Sequence, residues 1–376
     1  MKILCLEQFR DLGGGQLALL DLLPGFRERD WEPVIAIPGE GLLAERVRSL
    51  GFDVEIYAAP PHLNNSISAL DVARYTAAAP KQTRALMQLV ARLQPDLLYV
   101  NASRVLPLTA LVASRFSIPL VFHSHSRITR PAVVALMGLC LKFARAQVIS
   151  CSRYSASPFH RYVPEHALSV IYNGVRDTPI SHSPQTNAHP RIGVIGRIEP
   201  EKGQLDFVTA ARLLLEFVPD CKFFIAGAPL FAGNGYLDSV QAASRGLPFQ
   251  FLGWQDDVRP LLSTLDLLVV PSAPLDAAPR VILEAFAARV PVVAFPSGGI
   301  PELIQDGYNG FLTSAFTPAA LAERIRFVLD LSPASRQSVI ANARNSWRER
   351  HSLDVFRRNV SDFLARAVAP EPYAYA

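Results

Sequence analysis

The stretch PSAPLDAAPRVILEAFAARVPVVAFPSGGIPELIQDGYNG, from Pro271 to Gly310, decides the fold of this 376-residue chain. An apolar run at 267–270 precedes it and predicts a buried strand, whose following loop carries Asp276. The stretch then predicts a helix with Glu284 on its early turns and a second apolar strand at 291–295. A strand, a helix and a second strand in this order predict a βαβ unit in a parallel sheet.

The loops of this predicted unit carry polar groups suited to a ligand. Asp276 and Glu284 are two carboxylates eight residues apart, and the second strand leads to the pair Gly298 and Gly299. Open α/β sheets bind their ligands at the carboxyl ends of the strands, where these groups are expected. Carboxylates beside amide-rich loops suit a ligand with both hydroxyls and anionic groups, and a sugar nucleotide has both.

The rest of the chain continues the alternation of short apolar runs with helix-like stretches, which predicts two α/β domains with doubly wound parallel sheets and a cleft between them. The predicted strands are 2–6, 33–37, 53–56, 96–100, 120–123, 147–150, 169–172, 191–195, 222–226, 249–252, 267–270 and 292–295. The polar, proline-marked run TPISHSPQTNAHP is the best linker candidate. The predicted boundaries are 1–178 for the first domain, 179–190 for the linker, 191–354 for the second domain and 355–376 for a C-terminal segment.

Composition and charge exclude several classes of function. The chain is 50% hydrophobic, and 37 basic against 33 acidic residues leave a net charge of +4, too weak to indicate a nucleic-acid partner. The four cysteines lack metal-ligand spacing and are interpreted as reduced thiols of a cytoplasmic protein. The N-terminus predicts a strand rather than a signal peptide, and the uncharged run 131–141 is shorter than the about 20 residues that a membrane span requires.

Two cations follow the predicted strand 191–195 in the segment GRIEPEKGQ. Arg197 and Lys202 lie just before a helix that is predicted to start near Gly203. The unpaired amides and the dipole of a helix N-terminus add to the charge of such side chains, so together they predict an anion site. Arg197 suits two phosphate oxygens at once, whereas Lys202 is a compact point charge. An ordinary solvated loop is the alternative interpretation.

A glycine-rich turn, DLGGGQ at 11–16, follows the first predicted strand and precedes an apolar helix. Gly14 and Gly15 allow the backbone to approach a ligand closely and to present its amides. The three glycines of the turn are contiguous, so the spacing G-x-G-x-x-G is absent and an NAD-dependent oxidoreductase is disfavoured. A plain connection between strand and helix is the alternative.

Two histidines, His123 and His125, lie at the end of the predicted strand 120–123. Their spacing places both imidazoles on one side if the strand continues, where either could donate to a sugar hydroxyl or a phosphate. A zinc site is disfavoured because no third ligand stands at a useful spacing. A hydrogen-bonded structural role is expected for whichever histidine does not serve the site.

These motifs resemble those of the family 4 retaining glycosyltransferases, also called glycosyl transferases group 1. The resemblance is carried by Pro271-Ser272, Asp276, Glu284 to Ala287, Pro291 to Val293, Gly298-Gly299 and Glu302, with the glycine turn, the histidine strand and the Arg197 and Lys202 loop. The family has a glutamate at the position of Asp276, so the carboxylate of this chain stands on a shorter arm.

The resemblance implies the GT-B fold, in which two Rossmann-like domains face each other across a cleft and the last helix, here within 355–376, crosses back to the first domain. It implies a retaining, hexosyltransferase-type enzyme that moves a sugar from a nucleotide diphosphate donor to an acceptor hydroxyl, without a metal or a cofactor. The implied catalytic residues are His125, with His123 as the fallback, Arg197, Lys202 and Asp276. The implied donor-binding residues are Gly14, Gly15, Arg197, Lys202, Gly253, Asp276, Glu284, Gly298, Gly299 and Ile300.

Two alternatives remain open beside the transferase. One is a sugar-nucleotide epimerase of the same fold, and the other is a non-catalytic nucleotide-sugar binding subunit, which the aspartate at position 276 favours. Glycan, polysaccharide or glycolipid assembly is the expected setting, whereas the base and sugar of the donor and the identity of the acceptor are not encoded in any motif.

An apolar segment with basic edges, PAVVALMGLCLKFA, bears on the partners of the chain. The edges are formed by Arg127, Arg130, Lys142 and Arg145. Such a helix fits contact with the inner face of a membrane or with a lipid-linked acceptor. A core-facing helix with cationic ends is the plainer interpretation and is favoured.

Overall fold

The chain folds into two compact units. The first unit runs from Met1 to Tyr172 and resumes at Phe356, and the second runs from Asn173 to Val355. Each unit has its own parallel sheet and its own hydrophobic core. The computed structural model describes residues 1–57, 69–179, 189–229, 235–272 and 275–369.

The described part of the first unit contains a sheet of seven parallel strands. They are β1 (Lys2–Leu6), β2 (Glu32–Ile37), β3 (Asp53–Ile56), β4 (Leu97–Val100), β5 (Leu120–Ser124), β6 (Gln147–Ser150) and β7 (Leu168–Val170). Their order in the sheet is β3-β2-β1-β4-β5-β6-β7. The sequence of β4, LLYV, is apolar and buried at every position, as expected for a strand covered on both faces.

Helices connect these strands. They are α1 (Gly14–Arg27), α2 (Leu42–Ser49), α3 (Ala69–Leu93), α4 (Leu106–Phe116), α5 (Pro131–Phe143) and α6 (Arg153–Ala156). Proline stands in the first turn of α4 and of α5, where its missing N–H costs no intrahelical hydrogen bond. The alternation of strands with helices produces the parallel crossovers that the sequence predicts.

The second unit has a sheet of six parallel strands within its described residues. They are β8 (Arg191–Ile195), β9 (Lys222–Ala226), β10 (Phe249–Gly253), β11 (Leu267–Val270), β12 (Val292–Ala294) and β13 (Phe311–Leu312), in the order β10-β9-β8-β11-β12-β13. Its helices are α7 (Gln204–Leu214), α8 (Gly235–Ala243), α9 (Arg259–Leu262), α10 (Arg280–Ala288), α11 (Ile300–Leu303), α12 (Pro318–Leu329) and α13 (Pro333–Ser346). The next helix, α14 (Leu353–Val368), lies mostly in the first unit.

Each sheet contains one point at which the direction of strand addition reverses. In the first unit the chain passes from β1 to β2 on one side and later places β4 on the other side of β1. In the second unit β8 lies in the same way between β9 and β11. The loops that leave the two strands at such a switch point diverge, and the crevice between them is the usual ligand site of an open α/β sheet.

The twelve predicted strands are all present, with small differences at their ends. The one strand of the described residues that has no prediction is β13, which is two residues long and pairs with β12. Two residues are too few to show a pattern of alternation or an apolar run. The C-terminal part of the described chain is helical, with a π-helical turn at Trp347–His351 between α13 and α14.

The boundary between the units differs from the predicted one. The second unit begins at Asn173, not after residue 178, because this segment is bonded within the second unit. The amide of Val175 donates to the carbonyl oxygen of His351 at 3.0 Å, and Asp177 forms an ion pair with Arg344 at 2.6 Å. Of the predicted linker, residues 180–188 lie outside the described residues.

The C-terminal helix α14 packs on the first unit, as the GT-B resemblance implies. Phe356, Val360 and Leu364 are fully buried along one face of the helix. The guanidinium Nε of Arg357 donates to the carbonyl oxygen of Asp21 in α1 at 2.7 Å. The first unit is therefore completed by a segment that follows the whole second unit in sequence.

Replacing Phe356 tests how much this helix contributes. We expect Phe356→Ala to lower the free energy of unfolding of the first unit by about 3–5 kcal/mol, since it removes a fully buried ring and leaves a cavity. Urea denaturation followed by circular dichroism measures the change. Arg358→Ala, at an exposed position of the same helix, is the control and should cost less than about 0.5 kcal/mol. Equal effects of the two substitutions would contradict the docking of α14.

Candidate functional site

The candidate site of the second unit lies at its switch point, between the loops that follow β8 and β11. Lys202 comes after β8, and its Nζ lies 2.6 Å from Oδ2 of Asp276, which comes after β11. The lysine side chain is 22% exposed and the aspartate side chain 11%, so the ion pair is shielded from bulk water. The structure thus brings together the cation predicted to bind phosphate and the acid predicted to face the sugar.

A close approach of two backbones holds these loops together. Gly203, the residue after Lys202, has a φ of 69°, in the left-handed region. A Cβ atom at this position would lie 1.9 Å from the carbonyl oxygen of Pro271. Glycine is the residue that satisfies both conditions, and it lets the short turn Pro200–Lys202 lie directly against the end of β11.

Arg197, the second predicted cation, is held within the same loop. Its Nη1 lies 2.9 Å from Oε1 of Glu199, and Gln204 Nε2 donates to its carbonyl oxygen at 2.7 Å. Glu199 is 5% exposed, and its burial raises the pKa of the carboxyl group. The arginine side chain is 29% exposed, so an arriving anion would meet a guanidinium that Glu199 already orients. Glu199 is not among the residues predicted from the sequence.

The glycine pair after β12 contacts Asp276 through its backbone. The amide of Gly299 donates to the carbonyl oxygen of Asp276 at 2.9 Å, and the amide of Ile300 donates to that of Ser297 at 2.8 Å. Gly298 has a φ of 53°, which glycine adopts without strain. Two of the amides predicted to serve a sugar are therefore engaged within the protein, and that of Gly299 ties its loop to the backbone of Asp276.

Two further predicted donor-binding residues lie on neighbouring elements. Gly253 ends β10 with a φ of 68°, and its carbonyl oxygen accepts from the amide of Gly227 at 2.8 Å. A Cβ atom at Gly227 would lie 1.8 Å from the carbonyl oxygen of Gly196, so the ends of β8, β9 and β10 meet through glycine backbone. Glu284 is half-buried on α10. The contacts of Gly253 and Glu284 with a nucleotide stay predictions.

A second polar cluster lies at the switch point of the first unit. Glu7, Asn101 and His125 directly follow β1, β4 and β5, which are neighbours in the sheet. Asn101 Nδ2 donates to Oε2 of Glu7 at 2.7 Å, and Nε2 of His125 lies 2.7 Å from Oδ1 of Asn101. Three residues far apart in sequence therefore form one hydrogen-bonded chain at the edge of the sheet.

The glycine turn lies against this cluster. Asn101 Nδ2 also donates to the carbonyl oxygen of Gly15 at 3.1 Å. A Cβ atom at Gly15 would lie 3.1 Å from Cδ2 of the His125 ring, which is tighter than an ordinary contact. Gly14 is the first residue of α1, one position before this contact. The structure therefore brings together the predicted glycine turn and the predicted histidine.

The two predicted histidines have different surroundings. His123 is 1% exposed, its Nδ1 is hydrogen-bonded to the hydroxyl of Tyr99, and burial holds the pKa of its imidazole well below the usual value. His125 is half-buried, and its ring lies 4.0 Å from that of His123 between centroids. Both imidazoles lie on one side, as predicted, and His125 is the more accessible of the two.

Glu7 and Asn101 are functional candidates without a prediction from the sequence. Glu7 has no exposed surface, and burial raises the pKa of its carboxyl group to about 7. Asn101 is 4% exposed. The signal that could have found them is positional, because each is the first polar residue after an apolar strand that borders the switch point.

Among the described residues, no group of three or more His, Cys, Asp or Glu side chains is arranged to hold a metal ion. Within those residues, too, no helix combines the length and the apolar character that crossing a bilayer requires. The four cysteines are free thiols, and three of them are buried.

Two family models match the chain. One, Glycosyltransferase Family 4, covers residues 12–178, and the other, Glycosyl transferases group 1, covers residues 189–330. The first match contains most of the glycine turn and both histidines, and the second contains the Lys202 and Asp276 pair.

Three of the curated relatives, all glycosyltransferases by name, match at 27–29% identity. Lipopolysaccharide 1,2-N-acetylglucosaminetransferase of Salmonella typhimurium is 28% identical over 44% of this chain and 48% of the relative. D-inositol 3-phosphate glycosyltransferase of Mycolicibacterium smegmatis is 29% identical over 60% and 53%. The 2-deoxystreptamine N-acetyl-D-glucosaminyltransferase of Streptomyces fradiae is 27% identical over 89% and 86%. The chain thus spans about half the length of the first two relatives. All three are sugar transferases, so the epimerase and the non-catalytic alternatives gain no support.

Solved structures match over nearly the whole chain. Alr3699/HepE from Anabaena, solved in complex with UDP-glucose, has a TM-score of 0.82 at 24% identity and covers 97% of this chain and 100% of its own. Sucrose-phosphate synthase from Thermosynechococcus elongatus has a TM-score of 0.78 at 18% identity, with 98% and 99% coverage. These likenesses confirm the predicted GT-B fold.

The contact between Gly203 and Pro271 gives a prediction for stability. Gly203→Ala should lower the free energy of unfolding of the second unit by more than the about 1–2 kcal/mol of a left-handed alanine, because the new methyl group also meets a backbone oxygen. Gly246→Ala is the matched control, with a φ of 77° and no neighbour within 4 Å of the new Cβ. Urea denaturation measures both variants. If they lose the same stability, the two loops are not packed as described.

Proposed function

We propose that this chain, which belongs to the family 4 glycosyltransferases, transfers a sugar from a nucleotide diphosphate donor to an acceptor hydroxyl with retention of configuration. The donor is of the hexose type, and the acceptor belongs to a glycan, polysaccharide or glycolipid. The relatives are named for lipopolysaccharide, inositol phosphate and 2-deoxystreptamine, so acceptors differ among them. We place the reaction in the cytoplasm, where nucleotide sugars are available.

The observation that carries the proposal is the pairing of Lys202 with Asp276 at the switch point of the second unit. The ammonium of Lys202 can donate to phosphate oxygens, and the carboxylate of Asp276 can accept from sugar hydroxyls. The two groups lie 2.6 Å apart, so one ligand can reach both. Arg197 adds a second cation on the loop that carries Lys202. A diphosphate joined to a sugar is the ligand that uses all three groups.

The chemistry follows from where charge develops. The bond between the anomeric carbon and the diphosphate breaks, the acceptor oxygen bonds to that carbon on the same face, and the acceptor proton passes to the departing phosphate oxygen. Lys202 and Arg197 stabilise the negative charge that grows on the diphosphate, an interaction stronger in the transition state than in the ground state. Asp276 orients the sugar by accepting from its hydroxyls. No metal or cofactor takes part in this scheme.

We assign to His125 of the first unit a hydrogen bond to a hydroxyl of the transferred sugar. Its ring is half-buried, lies 4.0 Å from that of His123 between centroids, and would be met by a Cβ atom at Gly15 in the first turn of α1. The ring is held in this way before a ligand arrives, so ordering it costs little conformational entropy.

Nucleotide diphosphate release tests the donor site. With the preferred member of a panel of UDP-, GDP- and ADP-sugars, we expect slow release by the wild type and a fall in kcat/KM of about 100- to 1000-fold in Lys202→Ala, because one cation at the leaving group is lost. Lys222→Ala, which removes an exposed lysine at the start of β9, is the matched control and should leave kcat/KM unchanged. Unimpaired turnover by Lys202→Ala would refute the assignment of the diphosphate site.

We also propose that the first unit docks on an anionic lipid surface through the outer face of α3, α4 and α5. In the fold, α4 packs against α3 and against α5. On α5, Met137 and Leu141 face the core, as the plainer interpretation expects. The same helix exposes Leu136 at 51%, Leu139 at 60% and Phe143 at 61%, which that interpretation does not explain.

Charge favours a lipid surface as the partner of this face. The exposed cations are Arg74, Lys81 and Arg84 on α3, Arg115 on α4, Lys142 on α5 and Arg145 after it. The three helices contain a single acidic residue, Asp71. An apolar stripe edged by cations binds the boundary of an anionic bilayer by burying the stripe and placing the cations among the headgroups.

Vesicle co-sedimentation tests this surface. The protein should bind phosphatidylglycerol vesicles more strongly than phosphatidylcholine vesicles, and added salt should weaken the binding. Leu139→Gln should reduce the partition coefficient by about tenfold, since it removes one buried apolar side chain. Leu42→Gln, at a 49% exposed leucine on α2 of the same unit, is the control. Equal binding by Leu139→Gln and the wild type would exclude this face.

A further inference from the structure

The hydrogen-bonded chain of Glu7, Asn101 and His125 has a direction. It begins at a carboxylate with no exposed surface and ends at the histidine to which the proposed sugar transfer assigns a ligand contact. The middle residue, Asn101, is an amide with one side that donates and one side that accepts. The state of His125 therefore depends on which way this amide is turned.

The carboxylate of Glu7 is surrounded by neutral donors. Its Oε1 accepts from the amide of Gln8 at 2.7 Å, and its Oε2 accepts from Asn101 Nδ2 at 2.7 Å. The side chain of Gln16 also donates to it, since the oxygen of that side chain accepts from the amide of Gly13 at 3.1 Å. Among the described residues, no lysine or arginine side chain is hydrogen-bonded or ion-paired to this carboxylate. A carboxylate buried without a cation is costly to the fold, which makes Glu7 a candidate for a role beyond stability.

The amide of Asn101 can take only one orientation in this cluster. Its Nδ2 faces the carboxylate of Glu7 and the carbonyl oxygen of Gly15, and both of these accept hydrogen bonds. Its Oδ1 must then face His125, where it can only accept. The proton of a neutral His125 ring consequently lies on Nε2, and Nδ1 is the acceptor nitrogen.

We propose that Glu7 is a positioning residue for the sugar transfer, acting through Asn101 to hold His125 in the Nε2–H tautomer and in one ring orientation. The role rests on the proposed function of His125. The ring has little room to move, because a Cβ atom at Gly15 would lie 3.1 Å from its Cδ2 and the ring of His123 lies 4.0 Å away between centroids. The hydrogen bond of Asn101 then fixes the remaining rotation of the ring.

Glu7→Gln tests this hydrogen-bonded chain, because glutamine has nearly the same shape as glutamate. A glutamine has one accepting oxygen and one donating nitrogen, so it cannot accept from both Gln8 and Asn101. We expect the amide of Asn101 to turn over, to present Nδ2 to His125 and to shift the proton of the ring to Nδ1. Long-range proton–nitrogen correlation spectra of 15N-histidine-labelled protein read the tautomer, with the signal of His125 assigned from its loss in His125→Gln.

The kinetic expectation separates positioning from folding. We expect Glu7→Gln to reduce kcat roughly 10- to 100-fold, as for other histidines that lose their orienting partner, with little change in the donor KM. Tyr57→Phe is the matched control, because the Tyr57 hydroxyl donates to the backbone carbonyl of Glu7 at 2.8 Å and not to its carboxylate. This control should lower the thermal midpoint while leaving the tautomer and kcat unchanged.

Two results would overturn the proposal. One is an Nδ1–H tautomer in the wild-type protein, which requires no variant to fold. The other is a Glu7→Gln variant with the tautomer and kcat of the Tyr57→Phe control. The spectra do not depend on turnover. A protein with the Nε2–H tautomer and no activity on any donor would therefore refute the proposed function of the site, while the effect of Glu7 on the His125 tautomer would stand.

Discussion

Parallel strands connected by crossovers leave one place in each of these sheets where two neighbouring loops run apart, and this constraint sets the position of the central pair of residues in each candidate site. In the second unit the two strands are β8 and β11, and their loops supply Lys202 and Asp276. In the first unit they are β1 and β4, whose loops supply Glu7 and Asn101. The same topological rule thus produces an ion pair in one unit and a hydrogen-bonded chain in the other.

The shape of the second site depends on glycine as much as on charge. The absence of a side chain at Gly203 lets the lysine loop touch the end of β11, and this contact brings Lys202 to Asp276. A cation that is shielded from water without a partner destabilises the fold, and the carboxylate of Asp276 reduces this cost for Lys202. The short side chain of Asp276 is compatible with this direct pairing to Lys202. Contact with the sugar does not by itself explain the pairing.

The fold was largely predictable because most of its strands are apolar runs, buried on both faces, that can be identified without knowledge of their neighbours. The unit boundary was not, because Asn173 to Thr178 show no local sign of the bonds that Val175 and Asp177 make with residues of the C-terminal region. Lys202 and Asp276 were predicted separately, and their pairing depends on a backbone contact that no spacing reveals. Glu7 was not predicted, because a single polar residue after a strand resembles the start of any loop.

The burial of Glu7 also has a thermodynamic consequence. The folded chain raises the pKa of this carboxyl to about 7 from a usual value of 4.5, so the folded state binds a proton that the unfolded state releases. The group therefore favours folding most below pH 4.5, and this contribution is lost as the pH rises towards 7, by a few kcal/mol. Above pH 7 the first unit carries an ionised group that weakens it. The side chain of Glu7 thus holds the ring of His125 in one orientation and, when ionised, lowers the free energy of unfolding.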